Sequence, residues 1–185
     1  MIIKFLLSLI KKFFYESNTY SIYTYVNQDA PEPPIPSDVE IFNKYSDIPY
    51  TIREDVLKYH LINPLYYRIK SGLATLLTIM NNSELIAYGW IQKWEPFKKK
   101  FGWVANNEAI MLGPYWTNPA YRGKGYYGHL LRKSIILSKS KVSLIIYTDK
   151  SNLASRKGIE KEGFSHFGDF KIVFVLRHFT KCYAE

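Results

Sequence analysis

The chain has 185 residues, 47% of them apolar and 22% charged, a composition that buries a core and sets the disordered and collagen-like classes aside. Its net charge of +9 is uneven: residues 91–141 hold ten Lys or Arg against two acids, Glu95 and Glu108, and residues 1–15 hold three Lys and no acid. Such charge suits a nucleic acid, an anionic membrane or a phosphorylated small molecule, and a single cysteine, Cys182, excludes an internal disulfide.

Residues 1–15 read MIIKFLLSLIKKFFY, with Lys4, Ser8, Lys11 and Lys12 as one polar stripe on an otherwise apolar helix. The stretch is shorter than the roughly 20 apolar residues of a spanning helix and lacks the small-residue cleavage site of a signal peptide. Two readings stay open: a helix lying on an anionic membrane surface, or one docked on the protein's own core or on a second copy in a homodimer. Tyr20–Val26 reads as a short strand. The APEPPIPS run at 30–37 is a stiff Pro-rich connector. Residues 1–37 are therefore placed before a domain covering 38–185.

Within that domain Val39–Phe42 reads as a first strand, and Ile52–Ile62 and Tyr66–Ile69 as helices parted by Asn63-Pro64. Ala74–Met80 and Leu85–Trp94 make a hairpin about Asn81-Asn82-Ser83. Glu95–Asn107 reads as a loop carrying Lys98, Lys99 and Lys100. Ala109–Trp116 is a strand, Tyr126–Lys139 a helix, and Val142–Thr148 an apolar run of the kind buried on both faces. Asn152–Glu162 is a helix closed by Gly163. Phe164–Phe167 and Lys171–Arg177 are strands turned at Gly168-Asp169, and Cys182 falls in a frayed tail with no base beside it. Strands and helices in this order predict a mixed α/β sheet.

Arg122-Gly123-Lys124-Gly125-Tyr126-Tyr127-Gly128 lies between a strand and a helix. Glycines there let the backbone approach a ligand, and the free N–H groups of the helix start favour an anion. With Arg122 and Lys124 this makes a phosphate cradle. It is not a Walker loop, since no Lys-Ser or Lys-Thr follows. Gly123, Gly125 and Gly128 fit GxGxxG. The run nevertheless sits late in the chain, and the next acid at a strand end, Asp149, comes 26 residues after Gly123, too far for a ribose contact.

The run Thr117-Asn118-Pro119-Ala120-Tyr121-Arg122-Gly123-Lys124-Gly125 resembles V-x-P-x-Y-R-G-K-G, the pyrophosphate loop of the GNAT superfamily of N-acyltransferases. Arg122 and Gly125 match the family core; Tyr127 stands where Gly or Ala is usual, and Gly128 comes one residue late. Asn152, Ser155, Glu160, Lys161, Gly163 and Phe164 match the family's second run, N-x-x-[AS]…E-K-x-G-F. Read alone, Asn152 is a helix cap. The resemblance covers residues 38–180, and the Tyr-bearing helix start is similar to GNAT relatives found with surface-polysaccharide genes.

The resemblance implies an α/β GNAT fold, a mixed central sheet of roughly six or seven strands flanked by helices. It implies acetyl-CoA as acyl donor, held by Tyr115, Trp116, Thr117, Arg122, Gly123, Lys124, Gly125, Tyr126, Tyr127, Gly128, Asn152 and Ser155, with no metal. The acetyl group passes directly to a primary amine, and a backbone N–H within Leu112–Tyr115, where Gly113-Pro114 bends the strand, meets the oxyanion. Glu108 is the candidate base, with His60 behind it, while His129 reads as a phosphate neighbour or a surface residue. The Tyr that many relatives carry seven residues after the Asn is Ile159 here, so water or another Tyr, Tyr147 or Tyr115, is expected to protonate the thiolate. A nucleotide- or lipid-linked amino sugar is the expected acceptor, with Lys98–Lys100 placed to meet a diphosphate. A protein N-terminus, a polyamine, or a non-enzymatic acyl-CoA-binding or membrane-associated role are the alternatives. The phosphate loop accounts for the basic charge without nucleic acid. The expected location is the cytoplasm, with the inner membrane face open through residues 1–15.

Overall fold

The computed structural model describes residues 15–25, 38–105, 108–138, 143–175 and 178–184. Of the segment read as an amphipathic helix, residues 1–14 lie outside these, as does the Pro-rich connector at 30–37. Among the described residues no helix is long and apolar enough to cross a membrane.

The chain runs through β1 (Tyr15–Tyr25), β2 (Val39–Phe42), α1 (Tyr50–Val56), α2 (Pro64–Lys70), β3 (Ala74–Asn81) and β4 (Glu84–Lys93). It continues through α3 (Lys98–Phe101), β5 (Ala109–Thr117), α4 (Tyr126–Leu137), β6 (Ser143–Asp149), α5 (Leu153–Lys161), β7 (Ser165–Val175) and β8 (His178–Ala184). The strands form one eight-stranded sheet in the order β2-β3-β4-β5-β6-β1-β7-β8. Only β5 and β6 pair in parallel; the other neighbours are antiparallel.

Alternation along each strand feeds two buried layers. Ile22, Met111, Ile145, Phe170 and Ile172 point to one face, where Trp94, Phe97 and Phe101 cover them. On that same side α1 and α2 pack through Ile52, Val56 and Ile69 against Leu76 and Trp90. Tyr23, Leu112, Leu144 and Ile146 point to the other face, under Leu131 of α4 and Ile159 of α5. Helix starts follow local chemistry: Asn63 caps α2 by accepting from the Leu65 N–H at 2.9 Å, with Pro64 in the first turn.

The boundary read at residue 38 is corrected for Tyr15–Tyr25. That segment is not an appendage: it pairs with β6 over Tyr20–Tyr25 and with β7 over Tyr15–Thr24, and Ile22 and Tyr23 are fully buried. The sheet has eight strands and is the mixed α/β sheet expected. The two late strands are one, β7, because the extra residue Phe167 is absorbed as a bulge where the register to β1 shifts between Ile22 and Tyr23. The tail expected to fray is β8, with Cys182 opposite Ile172. The helix read at Ile52–Ile62 stops at Val56; Tyr59 takes a left-handed φ of 61° before a short 3-10 turn at His60–Ile62. The Glu95–Asn107 loop carries a 3-10 turn and α3, pinned by Phe97 and Phe101.

A polar group fastens β1 beside the end of β6. Asp169 accepts from Ser21 Oγ at 2.7 Å, Lys150 Nζ at 2.6 Å and His166 Nε2 at 3.0 Å. Burial pushes this carboxyl up, but the hydrogen bonds from Lys150, His166 and Ser21 outweigh it and hold it well below the usual carboxylate range. A depressed folded-state pKa stabilises the protein above the unfolded value of about 4 and ceases to do so as pH falls through the folded value. Asp169→Asn is therefore expected to cost about 1–3 kcal/mol at neutral pH. The gap to wild type should narrow in urea melts taken progressively below about pH 4; a gap independent of pH would refute the ionic role.

Candidate active site

The parallel pairing of β5 and β6 lasts three residues, from Ala109 opposite Ser143 to Met111 opposite Ile145. Beyond Met111 the strands part. On its other edge β5 slips against β4 between Leu112 opposite Ile91 and Tyr115 opposite Gly89. The slip falls at Gly113-Pro114, where Gly113 holds φ at 99°, a value L side chains avoid, and Pro114 has no N–H to offer. The bend expected at this dipeptide is a bulge that leaves a gap beside β6.

A cavity of about 530 Å³ opens into the gap, and a second of about 410 Å³ adjoins it, the two sharing Tyr115, Tyr127, Asn152 and Ser155. The second is walled by Trp116, Thr117, Arg122, Gly123, Gly125 and Tyr126. Gly125, at φ 88°, ends the loop and starts α4 with its first amides uncapped by any side chain. Beyond the adjoining residues, no atom lies within 4 Å of where a Cβ would stand on Gly123 or Gly125, so the cradle is open to a ligand. Arg122 is exposed and held by its Nε donating to the Thr117 carbonyl at 3.2 Å. A diphosphate fits this arrangement: peptide N–H groups at a helix start with a guanidinium beside them.

Other expected contacts fall differently. Lys124 lies over the Tyr121 ring at 4.9 Å and lines neither cavity. Gly128 also lines neither; a Cβ there would come within 2.8 Å of Glu162 Oε1, so it serves packing. Trp116 stacks on Tyr88 with centroids 5.6 Å apart. Tyr127, the departure from the family loop, is matched by Gly158 of α5, where a Cβ would meet its ring at 2.9 Å. Asn152 Oδ1 caps α5 on the Ser155 N–H at 3.1 Å, while both residues line the cavities.

The candidates for proton transfer are separated by the structure. Glu108 is exposed and lines neither cavity, so the base reading loses its geometric footing. His60 packs on Tyr66 at 5.4 Å, outside both cavities, and His129 is bound to Asp38 at 2.8 Å. The Tyr115 hydroxyl donates to Ser134 Oγ at 2.8 Å, and burial pushes its pKa far up. It ties β5 to α4 and is turned away from the role of acid. Ile159 is core. Tyr147 lines the larger cavity, its ring packed against Phe101 and Phe170.

Apart from the Lys98–Lys100 run, the far half of that cavity was not legible in the sequence. Arg68 of α2 donates to Gln92 Oε1, and Gln92 Nε2 donates to the Gly113 carbonyl. The signal was present as a glutamine on the inward face of β4, two residues after buried Trp90. Lys100 lines the cavity, whereas Lys98 pairs with Glu95 at 3.5 Å on the surface. Among the described residues no cluster of His, Cys, Asp or Glu could hold a metal.

The sequence pattern of the acetyltransferase (GNAT) family matches residues 39–164. No curated protein matches the chain. Among solved structures, an acetyltransferase of the GNAT family from Colwellia psychrerythraea is 15% identical with a TM-score of 0.59, covering 92% of this chain and 56% of its own. A GCN5-related N-acetyltransferase-like protein from Streptococcus suis is 10% identical with a TM-score of 0.52, covering 96% of this chain and 67% of its own. At such identities the likeness is one of fold. The chain spans little more than half the length of the Colwellia protein.

Proposed function

Because this chain belongs to the acetyltransferase (GNAT) family, we propose that it moves an acetyl group from acetyl-CoA to a primary amine, the acceptor being a nucleotide- or lipid-linked amino sugar. The observation that carries the reading is the opening that runs from the start of α4 through the gap between β5 and β6. Tyr115 and Tyr127 belong to the layer under α4 and α5, and Phe97, Phe101 and Tyr147 to the layer on the opposite face. Donor and acceptor can therefore approach from opposite sides of the sheet. The α4 amides and Arg122 would hold the diphosphate, with Asn152 and Ser155 along the adjoining arm.

Bound there, the thioester supplies an activated acetyl carbonyl. In the transfer a nitrogen–carbon bond forms and the carbon–sulfur bond breaks; the amine loses a proton and the thiolate gains one. The edge of β5 past Met111 has no strand partner on the β6 side, which supports its amides as donors to the developing oxyanion. Tyr147 is the proposed proton donor to sulfur. Among the described residues no carboxylate or imidazole lines the larger cavity, so the amine proton leaves through water, and the cation Arg68 disfavours an ammonium beside it. The amino-sugar acceptor is supported by the Tyr126-Tyr127 helix start, and the lipid-linked form, on the inner membrane face, by the pattern of residues 1–15.

Calorimetry with coenzyme A and thiol release with acetyl-CoA and an amine panel test this. Tyr147→Phe should lower kcat about 100-fold while the KM for acetyl-CoA stays put. Tight coenzyme A uptake without turnover of any amine would leave a binding protein; absence of uptake would end both readings.

A further inference from the structure

The acceptor half of the larger cavity has a sign. Arg68 sets it, and among the described residues neither Asp, Glu nor His lines the cavity. Arg68 is half-buried and oriented on two sides, by its hydrogen bond to Gln92 and by the Phe97 ring 4.6 Å from its guanidinium carbon. Among the described residues no carboxylate pairs with it. Burial pulls its pKa down, and Tyr147 is close enough to oppose that electrostatically. Removing a guanidinium from water is costly unless an anion meets it, and the flat face of donors that Gln92 leaves unused matches a carboxylate or phosphate.

An amine substrate arrives as a cation and is repelled by such a cavity unless the same molecule carries negative charge. A polyamine fits poorly on this ground. Through Gln92, Arg68 is two hydrogen bonds from the Gly113 carbonyl at the gap, so an anion gripped there keeps its amine near the reacting carbonyl. We infer that the acceptor bears a carboxylate or phosphate on the molecule that carries the nucleophilic amine, and that Arg68 is the residue that binds it. The inference rests on the acyltransfer reading above and narrows its substrate class.

The test uses the full chain saturated with coenzyme A, so that the loop at α4 is filled. Thermal shift is followed with inorganic phosphate and with acetate, against chloride at equal ionic strength, the two probes separating a phosphate from a carboxylate ligand. One of them should raise the melting temperature saturably, and Arg68→Met should weaken its half-saturation about tenfold or more, with Arg68→Lys falling between. Turnover supplies the second readout, with glucosamine 6-phosphate against glucosamine and serine against serinamide. Where the acidic member of a pair is used, Arg68→Met should raise its KM at least about tenfold more than that of the neutral member and change the KM for acetyl-CoA little. No saturable shift with either anion overturns the inference, as does equal use of neutral and acidic partners. Failure of wild type to bind coenzyme A instead removes the reading beneath it.

Discussion

Ile22→Ala is expected to lower the unfolding free energy by about 2–5 kcal/mol. The side chain is fully buried in the layer that holds Trp94, Phe97, Phe101, Met111, Ile145 and Phe170. Its backbone lies between Tyr147 of β6 and Gly168 of β7. Truncation removes apolar contacts and leaves a void that neighbours held in two ladders cannot close. Were residues 15–25 an arm ahead of the domain, the same change would stay within about 0.5 kcal/mol. Urea melts separate these outcomes, and a wild-type midpoint for the variant would mean that β1 is not in the sheet. Thr19→Ala, at a partly exposed position of the same strand, is the matched control and should cost far less.

Arg122→Glu should weaken coenzyme A binding by about 10- to 100-fold, or roughly 1.4–3 kcal/mol, in calorimetry. The change reverses a charge at the rim of the cradle that Gly123, Gly125 and the first amides of α4 form. Arg122 is exposed and its one hydrogen bond is to a loop carbonyl, so the melting temperature should hold within a degree or two. Lys124→Glu should do less, because that ammonium sits over Tyr121 and outside the cavity wall. Equal losses for the two would point to general charge attraction and would sink the cradle.

The open helix start of α4 was legible because its information is local: glycines, a guanidinium and a helix start lie within a few consecutive residues. Asn152 was legible as a cap for the same reason. Of the far half of the larger cavity only the Lys98–Lys100 run was legible, since Arg68, Gln92 and Lys100 meet only when α2, β4 and α3 are folded against one another. Glu108 and Tyr115 show the converse: sequence position gave their chemistry but not their direction, which burial and the Ser134 hydroxyl decide. Within the fold, periodicity found most strands and both long helices. It could not reveal that β1 lies inside the sheet, between β6 and β7, because strand order is set by pairings between distant residues.

That placement bears on how the protein is made. Ile22 faces a residue 125 positions later, and its other flank waits for β7. Tyr15–Tyr25 leaves the ribosome well ahead of both its partners, so nothing can receive it until β6 and β7 have emerged, and long loop closures of this kind are slow. Meanwhile a strand rich in tyrosine, with both edges bare, is exposed to other chains. Nascent copies should therefore lean on holding chaperones, and refolding yield should fall steeply with protein concentration.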